Sequence, residues 1–173
     1  VDAVQPARTS GRRVDRARLL PLVLRQDPRI LSRVDPKSRL DLFLGVLLDC
    51  SWSMRVADRI GLARRLAAVI ASSARGLRGL DTRFFGFQDQ LLFDAGDARR
   101  CAVAGLTADN GNNDAGALWH MAKLARESRR RVKVLLMISD GLPTQCTTSA
   151  LAALVRRLTL EHGMCCLQVA LQP

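Results

Sequence analysis

The sequence predicts a three-layer α/β fold built on a mostly parallel sheet, and two observations support this. Apolar runs of strand length alternate with segments whose apolar residues recur every three to four positions, the pattern of strands followed by helices. Two of the runs, LDLFLGVLLD (40–49) and RVKVLLMISD (131–140), are apolar almost throughout, as expected for parallel strands covered on both faces. A chain of 173 residues has room for one such domain and a shorter extension.

Residues 1–36 are predicted to form a basic, partly helical N-terminal extension. Residues 1–13 are polar and rich in arginine, and we interpret them as a flexible lead. Residues 14–34 carry helically spaced apolar residues interrupted by two prolines, which predicts two or three short helices. The turn signal Asp35-Pro36 then places the boundary of a second domain, residues 37–173.

The second domain is predicted to alternate strands with helices. Right-handed crossovers place helices on both faces of the sheet, which gives a Rossmann-like sandwich. The short run QLLFD follows the second strand after a tight turn, so we expect it to be the one antiparallel edge strand. The predicted strands are 40–49, 82–87, 90–94, 131–140 and 164–171, and the predicted helices are 55–75, 113–129 and 147–163.

The net charge of +11 raises the question of a nucleic-acid partner. Residues 1–40 carry ten Arg and Lys against four Asp. No ladder of aromatic residues is interleaved with them, and the chain has no Tyr, which argues against binding of single-stranded nucleic acid. We favour a solvated basic surface, and a basic nucleic-acid-binding domain stays as an alternative.

Cysteine usage and hydropathy bear on the expected compartment. The five cysteines show no CxxC spacing, so neither a zinc site nor a disulfide framework is favoured, and a reducing, cytoplasmic compartment is expected. The chain contains no run of 18 or more apolar residues, and its first residues lack the apolar core of a signal peptide. No membrane association is expected.

Two aspartates are predicted to lie on the same edge of the sheet. Asp49 and Asp140 each end a long buried strand, and ligands of open α/β sheets bind at the carboxyl ends of the strands. Asp49 begins a D-x-S-x-S motif, in which Ser51 and Ser53 can present their hydroxyls on one side of the turn. Carboxylate and hydroxyl oxygens are the ligands that Mg²⁺ or Mn²⁺ prefers. The sequence therefore predicts a divalent-metal site at this edge.

Three motifs occur in order along the chain: D-x-S-x-S (49–53), DNGNNDAGAL (109–118) and ISDG (138–141). Together they resemble a von Willebrand factor type A domain, whose metal-ion-dependent adhesion site (MIDAS) carries the first motif. The stretch NNDAGALWHMA is more weakly similar to such domains of cobalt-chelatase subunits. The resemblance implies a metal-dependent protein-interaction module, not an enzyme. Bacterial members often work beside MoxR-type AAA+ ATPases, so the resemblance also suggests a partner of that class.

The resemblance also implies roles for single residues. Ser51 and Ser53 would bind the ion through their hydroxyls, and Asp49 and Asp140 would bind it directly or through water. In the second loop Asn112 stands where the family places a threonine, and its amide oxygen is able to ligate a hard cation.

Further residues of the same loops complete the expected site. Asp114 is a second metal-ligand candidate from the middle loop, as is Thr107. The last ligand of the ion would be an Asp or Glu of the protein partner. Trp52, Asn113 and Gly141 are the residues expected to contact that partner.

Other interpretations stay open at this point. The domain can have the fold and bind no metal, and Asn112 and Asp114 can serve only to cap a helix. An enzyme is disfavoured for two reasons. A phosphatase of the haloacid-dehalogenase type needs an acid where Ser51 stands, and a serine hydrolase needs a G-x-S-x-G turn that LDCSWSM does not provide.

Overall fold

The computed structural model describes residues 3–8, 13–14, 25, 29, 31–35, 40–141 and 143–171. The chain divides into two compact units, Val1–Arg39 and Leu40–Pro173. The division falls three residues after the boundary that the Asp35-Pro36 turn signal predicts.

The first unit contains an antiparallel sheet, which the sequence analysis did not predict. Strands β1 (Ala3–Arg8) and β2 (Arg13–Val14) both pair with β3 (Leu31–Asp35), in the order β1-β3-β2. The flexible lead predicted over residues 1–13 is therefore wrong for β1 and the start of β2. The two or three short helices predicted over residues 14–34 are wrong for the end of β2 and most of β3. The paired residues are 17 to 32 positions apart, so local periodicity carries no trace of their pairing. Arg25 is helical, and most of the other predicted helical positions lie outside the described residues.

The second unit contains a five-stranded sheet, as predicted. Its order is β6-β5-β4-β7-β8, and every neighbouring pair is parallel except β5 and β6. The antiparallel strand β6 lies at one edge, which confirms the prediction for QLLFD. The strands are β4 (Leu42–Asp49), β5 (Leu80–Phe87), β6 (Leu92–Asp94), β7 (Val132–Ser139) and β8 (Met164–Ala170).

Three α-helices connect these strands: α1 (Arg59–Ala74), α2 (Asp114–Glu127) and α3 (Thr148–His162). Short 3₁₀ helices occupy Trp52–Asp58 and Val103–Gly105, so the helix predicted from residue 55 begins as a 3₁₀ turn and becomes an α-helix after a kink. None of the helices among the described residues combines the length and apolar character needed to span a bilayer.

The sheet is covered on both faces, as strands apolar along both sides require. In β4, Val46 and Leu48 pack in a cluster that contains the inward face of α1, with Ala63 and Ala67. The alternate residues Phe43 and Leu47 point the other way, into a second cluster with residues of α2 and α3. Because successive side chains of a strand point to opposite faces, one strand supports both layers. The three-layer α/β prediction is confirmed.

A testable consequence concerns Gly79, just before β5. Its φ is +87° and its carbonyl accepts the Leu42 backbone N–H at 3.0 Å, while a Cβ placed on it would overlap the Leu40 carbonyl oxygen. Gly79→Ala should lower the free energy of unfolding in urea by more than about 2 kcal/mol, because both the backbone conformation and the strand start must give way.

Gly76→Ala is the matched control for this substitution. Gly76 has a similar φ of +82°, yet no described atom lies within 4 Å of the position that a Cβ would take there. The Gly76→Ala variant should lose only about 1 kcal/mol, the cost of a left-handed alanine. Equal losses for the two variants would show that the contact with Leu40 is unimportant.

Candidate metal centre

The two strand-terminal aspartates lie on one rim of the sheet. Asp49 is the last residue of β4, and Asp140 directly follows β7. These strands are parallel neighbours, with Leu48 paired to Ile138 at the end of the register. Burial is the first cause that raises the pKa of Asp49, and the negative charge of Asp140 adds to it.

The Asp49 carboxyl group is fully buried and held from two sides. Its Oδ1 accepts the Ser51 backbone N–H at 2.8 Å, and its Oδ2 accepts the Asn112 side-chain N–H at 3.2 Å. Burial is the main cause of the raised pKa of Asp49, and the hydrogen bonds from Ser51 and Asn112 act in the opposite direction. The carboxyl group is therefore oriented by its two hydrogen-bond donors, and no solvent reaches it to stabilise a negative charge.

Cys50 holds the turn after Asp49 in place through its buried side chain and its backbone carbonyl. Its side chain is buried in the α1-side core, and burial raises the pKa of its thiol to about 12. Its carbonyl accepts the Asp109 backbone N–H at 2.8 Å and the Gln88 side-chain N–H at 3.2 Å. Cys50 is thus an unreactive core residue whose backbone ties three loops together.

The hydroxyls of Ser51 and Ser53 lie 3.0 Å apart, at a distance at which either one donates to the other. Mg²⁺ in an octahedron has metal–oxygen distances of about 2.1 Å, so two adjacent ligands are separated by about 3.0 Å. The observed spacing is that of an ordinary O–H···O hydrogen bond, and it is also compatible with two neighbouring ligands of such an ion. Ser51 is buried and Ser53 is half-buried, so the pair lies at the opening of the site.

Asn112 is buried, and its amide is locked by Thr144. The Thr144 backbone N–H donates to Asn112 Oδ1 at 2.7 Å, the Thr144 hydroxyl lies 2.8 Å from the same oxygen, and the hydroxyl oxygen accepts the Asn112 backbone N–H at 3.0 Å. The N–H of Thr144 can only donate, so it defines which end of the amide is oxygen. The amide nitrogen therefore faces Asp49, and the oxygen that the sequence analysis offered to a metal is engaged elsewhere.

Asp114 is a buried carboxyl with an unmet hydrogen-bonding need. It begins α2, and only 3% of its surface is exposed. Its Oδ2 has no hydrogen-bond partner among the described residues, and burial, followed by the charges of Asp49 and Asp140, raises its pKa to about 6. The cap of its helix comes from a neighbour, because the side chain of Asn113 accepts the Gly116 backbone N–H at 2.9 Å.

An arginine contacts one of these carboxylates directly. The Arg59 guanidinium Nη1 lies 3.3 Å from Asp140 Oδ2, and both side chains are largely shielded. No three His, Cys, Asp or Glu side chains of the described residues form a group suited to a metal ion, so hydroxyls and water would have to complete any shell here. Sequence reasoning missed Arg59 and Thr144, because neither belongs to a motif and each contact joins distant segments.

The residues predicted to contact a partner lie around the same rim. Trp52 is 59% exposed, while its backbone N–H donates to the Asn110 carbonyl at 2.8 Å. Gly141 has a φ of +103° directly after Asp140, and the side chain of Asn113 is engaged in the cap of α2. Thr107, the remaining candidate of the middle loop, is exposed.

Comparisons with known proteins identify the fold. No protein-family model matches the chain, and no curated protein matches it. One similar solved structure is von Willebrand factor type A from Catenulispora acidiphila, with a TM-score of 0.61 and 14% identity, covering 79% of this chain and 33% of that one. A second is the SpRpn10 VWA domain, with a TM-score of 0.55 and 14% identity, covering 75% of this chain and 76% of that one. A third consists of three N-terminal domains of the pili tip protein Mfa5 from Porphyromonas gingivalis, with a TM-score of 0.54 and 17% identity, covering 62% of this chain and 22% of that one.

These similarities establish the fold as that of a von Willebrand factor type A domain, the one implied by the resemblance of the three motifs. The chain spans about a third or less of the pili tip and Catenulispora acidiphila proteins, and about three quarters of the SpRpn10 domain.

The raised pKa of Asp114 predicts a pH-dependent stability in the presence of chelator. The folded state binds this proton more tightly than the unfolded state, so its stabilising effect is complete below about pH 4 and is lost as the pH rises through about 6. The free energy of unfolding of Asp114→Asn in urea should therefore exceed that of the wild type by roughly 1–3 kcal/mol at pH 7.5. At pH 4 the two free energies should be nearly equal.

Asp109→Asn removes the same charge from an exposed position of the same loop and serves as the control. It should show no such growth of the difference with pH. A gap between Asp114→Asn and the wild type that is the same at both pH values would contradict the assignment.

Proposed function

We propose that the unit beginning at Leu40 is a metal-ion-dependent protein-interaction module that binds Mg²⁺, or Mn²⁺, at the rim formed by Asp49 and Asp140. The observation that carries the proposal is the pair of Ser51 and Ser53 hydroxyls, 3.0 Å apart beside a buried carboxylate. The orphaned Oδ2 of Asp114 adds support, because a buried carboxylate oxygen that lacks a donor among the described residues favours a nearby cation.

The residues divide into ligands and supports. Ser51 and Ser53 would ligate through their hydroxyls, and Asp49 and Asp140 directly or through water. Asn112, with its oxygen on Thr144, would act by orienting Asp49. Asp114 would remain beside the site as a further negative charge. When bound, the ion would supply a positive centre with exchangeable coordination positions.

A protein partner would be recognised through an Asp or Glu carboxylate. Within the shell, the two carboxylates Asp49 and Asp140 balance the charge of a divalent ion, so the ligands themselves leave no net negative charge to repel a carboxylate from outside. The charge of Asp114 lies beside this shell. Trp52, exposed beside the motif, would supply apolar contact area around the ion. Several similar structures come from pilus tip and pilus adhesin proteins, which supports an interaction role over a catalytic one.

The class of partner rests on the resemblance alone. Bacterial domains of this kind often work beside MoxR-type AAA+ ATPases, and we propose a partner of that class. We propose no catalytic step, since Ser51 occupies the position where a phosphatase of the D-x-D type needs an acid.

Calorimetric titration with Mg²⁺ and with Mn²⁺ tests the metal site. The wild type should bind one ion, Ser53→Ala should bind it about tenfold more weakly or worse, and Asp49→Asn should lose most of the heat, since each change removes an oxygen or a charge from the shell. Asp41→Asn, which changes an acid at the opposite end of β4 from Asp49, should behave as the wild type. No binding by the wild type at millimolar ion would sink the proposal.

Water-proton relaxation of the Mn²⁺-loaded protein tests the carboxylate partner, with acetate as the probe. Acetate at tens of millimolar should displace bound water and lower the relaxation enhancement, whereas sodium chloride at equal ionic strength should not. Relaxation that is identical with acetate and with chloride, while Mn²⁺ stays bound, would rule out recognition of a carboxylate by the ion.

A further inference from the structure

We infer that Arg59 is a resident counter-ion of the metal site, and that a divalent ion must displace its guanidinium from Asp140 to bind. The inference rests on the proposed function and goes beyond it, because it assigns to this chain an internal competitor that sets how much metal the site requires. Nothing in the D-x-S-x-S motif implies such a residue.

The contact joins two segments 81 positions apart in sequence. Arg59 Nη1 lies 3.3 Å from Asp140 Oδ2, and the two side chains are only 18% and 12% exposed. An ion pair so shielded from water is screened less than a surface pair, so the positive charge of Arg59 acts on the other acidic groups of the site. The guanidinium therefore neutralises part of the same negative charge that would attract the metal.

The pairing leaves Arg59 incompletely satisfied. Its Nε is buried and has no hydrogen-bond partner in the part of the chain that the structure describes. A purely structural buried ion pair is stabilising only when the remaining donors are also bonded, because the desolvation of the charges is otherwise not offset. The geometry is thus that of an arginine held near a carboxylate cluster by charge rather than by a complete set of hydrogen bonds.

The Arg59–Asp140 contact can change through the backbone conformation directly before Arg59. Ala57 and Asp58 have φ values of +52° and +53°, a left-handed conformation that is unfavourable for residues with a side chain. They form the kink at the end of the Trp52–Asp58 segment, directly before α1, which begins at Arg59. A change in this kink would move the Arg59 side chain relative to the two serines without disturbing the body of α1.

Competition follows from the shared ligand. The Asp140 carboxylate that accepts Arg59 is the same group that the metal would use directly or through water, and two cations on one carboxylate repel each other. Metal affinity is therefore lowered by the free energy of removing the guanidinium. By linkage, the metal weakens the Arg59–Asp140 contact by the same factor.

Removal of the competitor is the test. Mg²⁺ affinity of Arg59→Gln should be at least about fivefold tighter than that of the wild type, measured by calorimetry and by Trp52 fluorescence in a Trp119→Phe background. Arg126→Gln takes the same charge from an exposed position near the end of α2, away from the kink at Ala57 and Asp58, and should leave the affinity unchanged. Arg59→Lys keeps the charge and should stay closer to the wild type than Arg59→Gln does.

A second measurement follows the wild type during the titration and needs a variant only to assign one resonance. The Nε–H resonance of Arg59, assigned by its disappearance in Arg59→Lys, should shift as Mg²⁺ saturates the site. A resonance that stays unchanged during saturation would overturn the inference.

The outcomes separate the two proposals. Equal or weaker Mg²⁺ binding by Arg59→Gln, with a wild type that binds, overturns the role of Arg59 and leaves the metal site standing. Binding by Arg59→Gln alone supports the competitor and overturns unaided metal binding by the wild type. No binding by either protein overturns both.

Discussion

The burial of the Asp49 carboxyl group is the constraint on which the rim depends. Asp49 ends a strand whose two faces are both covered, so it leaves water as soon as the sheet and helices close around it. A buried carboxylate needs donors or a cation, and the segments nearby are arranged to provide them. The turn to Ser51 supplies a backbone N–H, and the loop at Asn112 supplies an amide N–H.

The same need is met differently at the three acidic groups. Asp49 is stabilised by hydrogen bonds, Asp140 by the Arg59 guanidinium, and Asp114 by the ease with which its carboxyl stays protonated, reflected in a pKa of about 6. A divalent ion can take the place of each of these arrangements, because hydrogen bonding, ion pairing and protonation are all reversible ways to stabilise a buried carboxyl group. The metal-binding proposal and the competitor proposal are thus two consequences of one excess of buried acid.

The sequence predicted the elements whose signal is local and missed those whose signal is not. The runs ending in Asp49 and Asp140 are apolar because both faces are buried, so strand type, parallel topology and a common rim could all be derived from them. The pairing of β1 and β2 with β3, the grip of Thr144 on Asn112 and the reach of Arg59 to Asp140 join segments far apart in sequence. Local patterning contains no record of such contacts. The cap of α2 is Asn113, which lies between Asn112 and Asp114, the two residues that the sequence offered as alternative caps; all three are good caps, and only the backbone decides among them.

The orientation of the Asn112 amide has a consequence for what completes the metal shell. A threonine hydroxyl at this position would both donate and accept, so it would be free to turn an oxygen lone pair to an ion. The amide cannot do so while its oxygen accepts from Thr144, and exchanging its ends would place two donors against each other at the Thr144 N–H. An ion at this rim would therefore draw its oxygen ligands from the serines, the two strand-terminal aspartates and water. One more coordination position than in a threonine-bearing site would be left for exchangeable ligands, which makes an outside carboxylate more important to the stability of the bound ion.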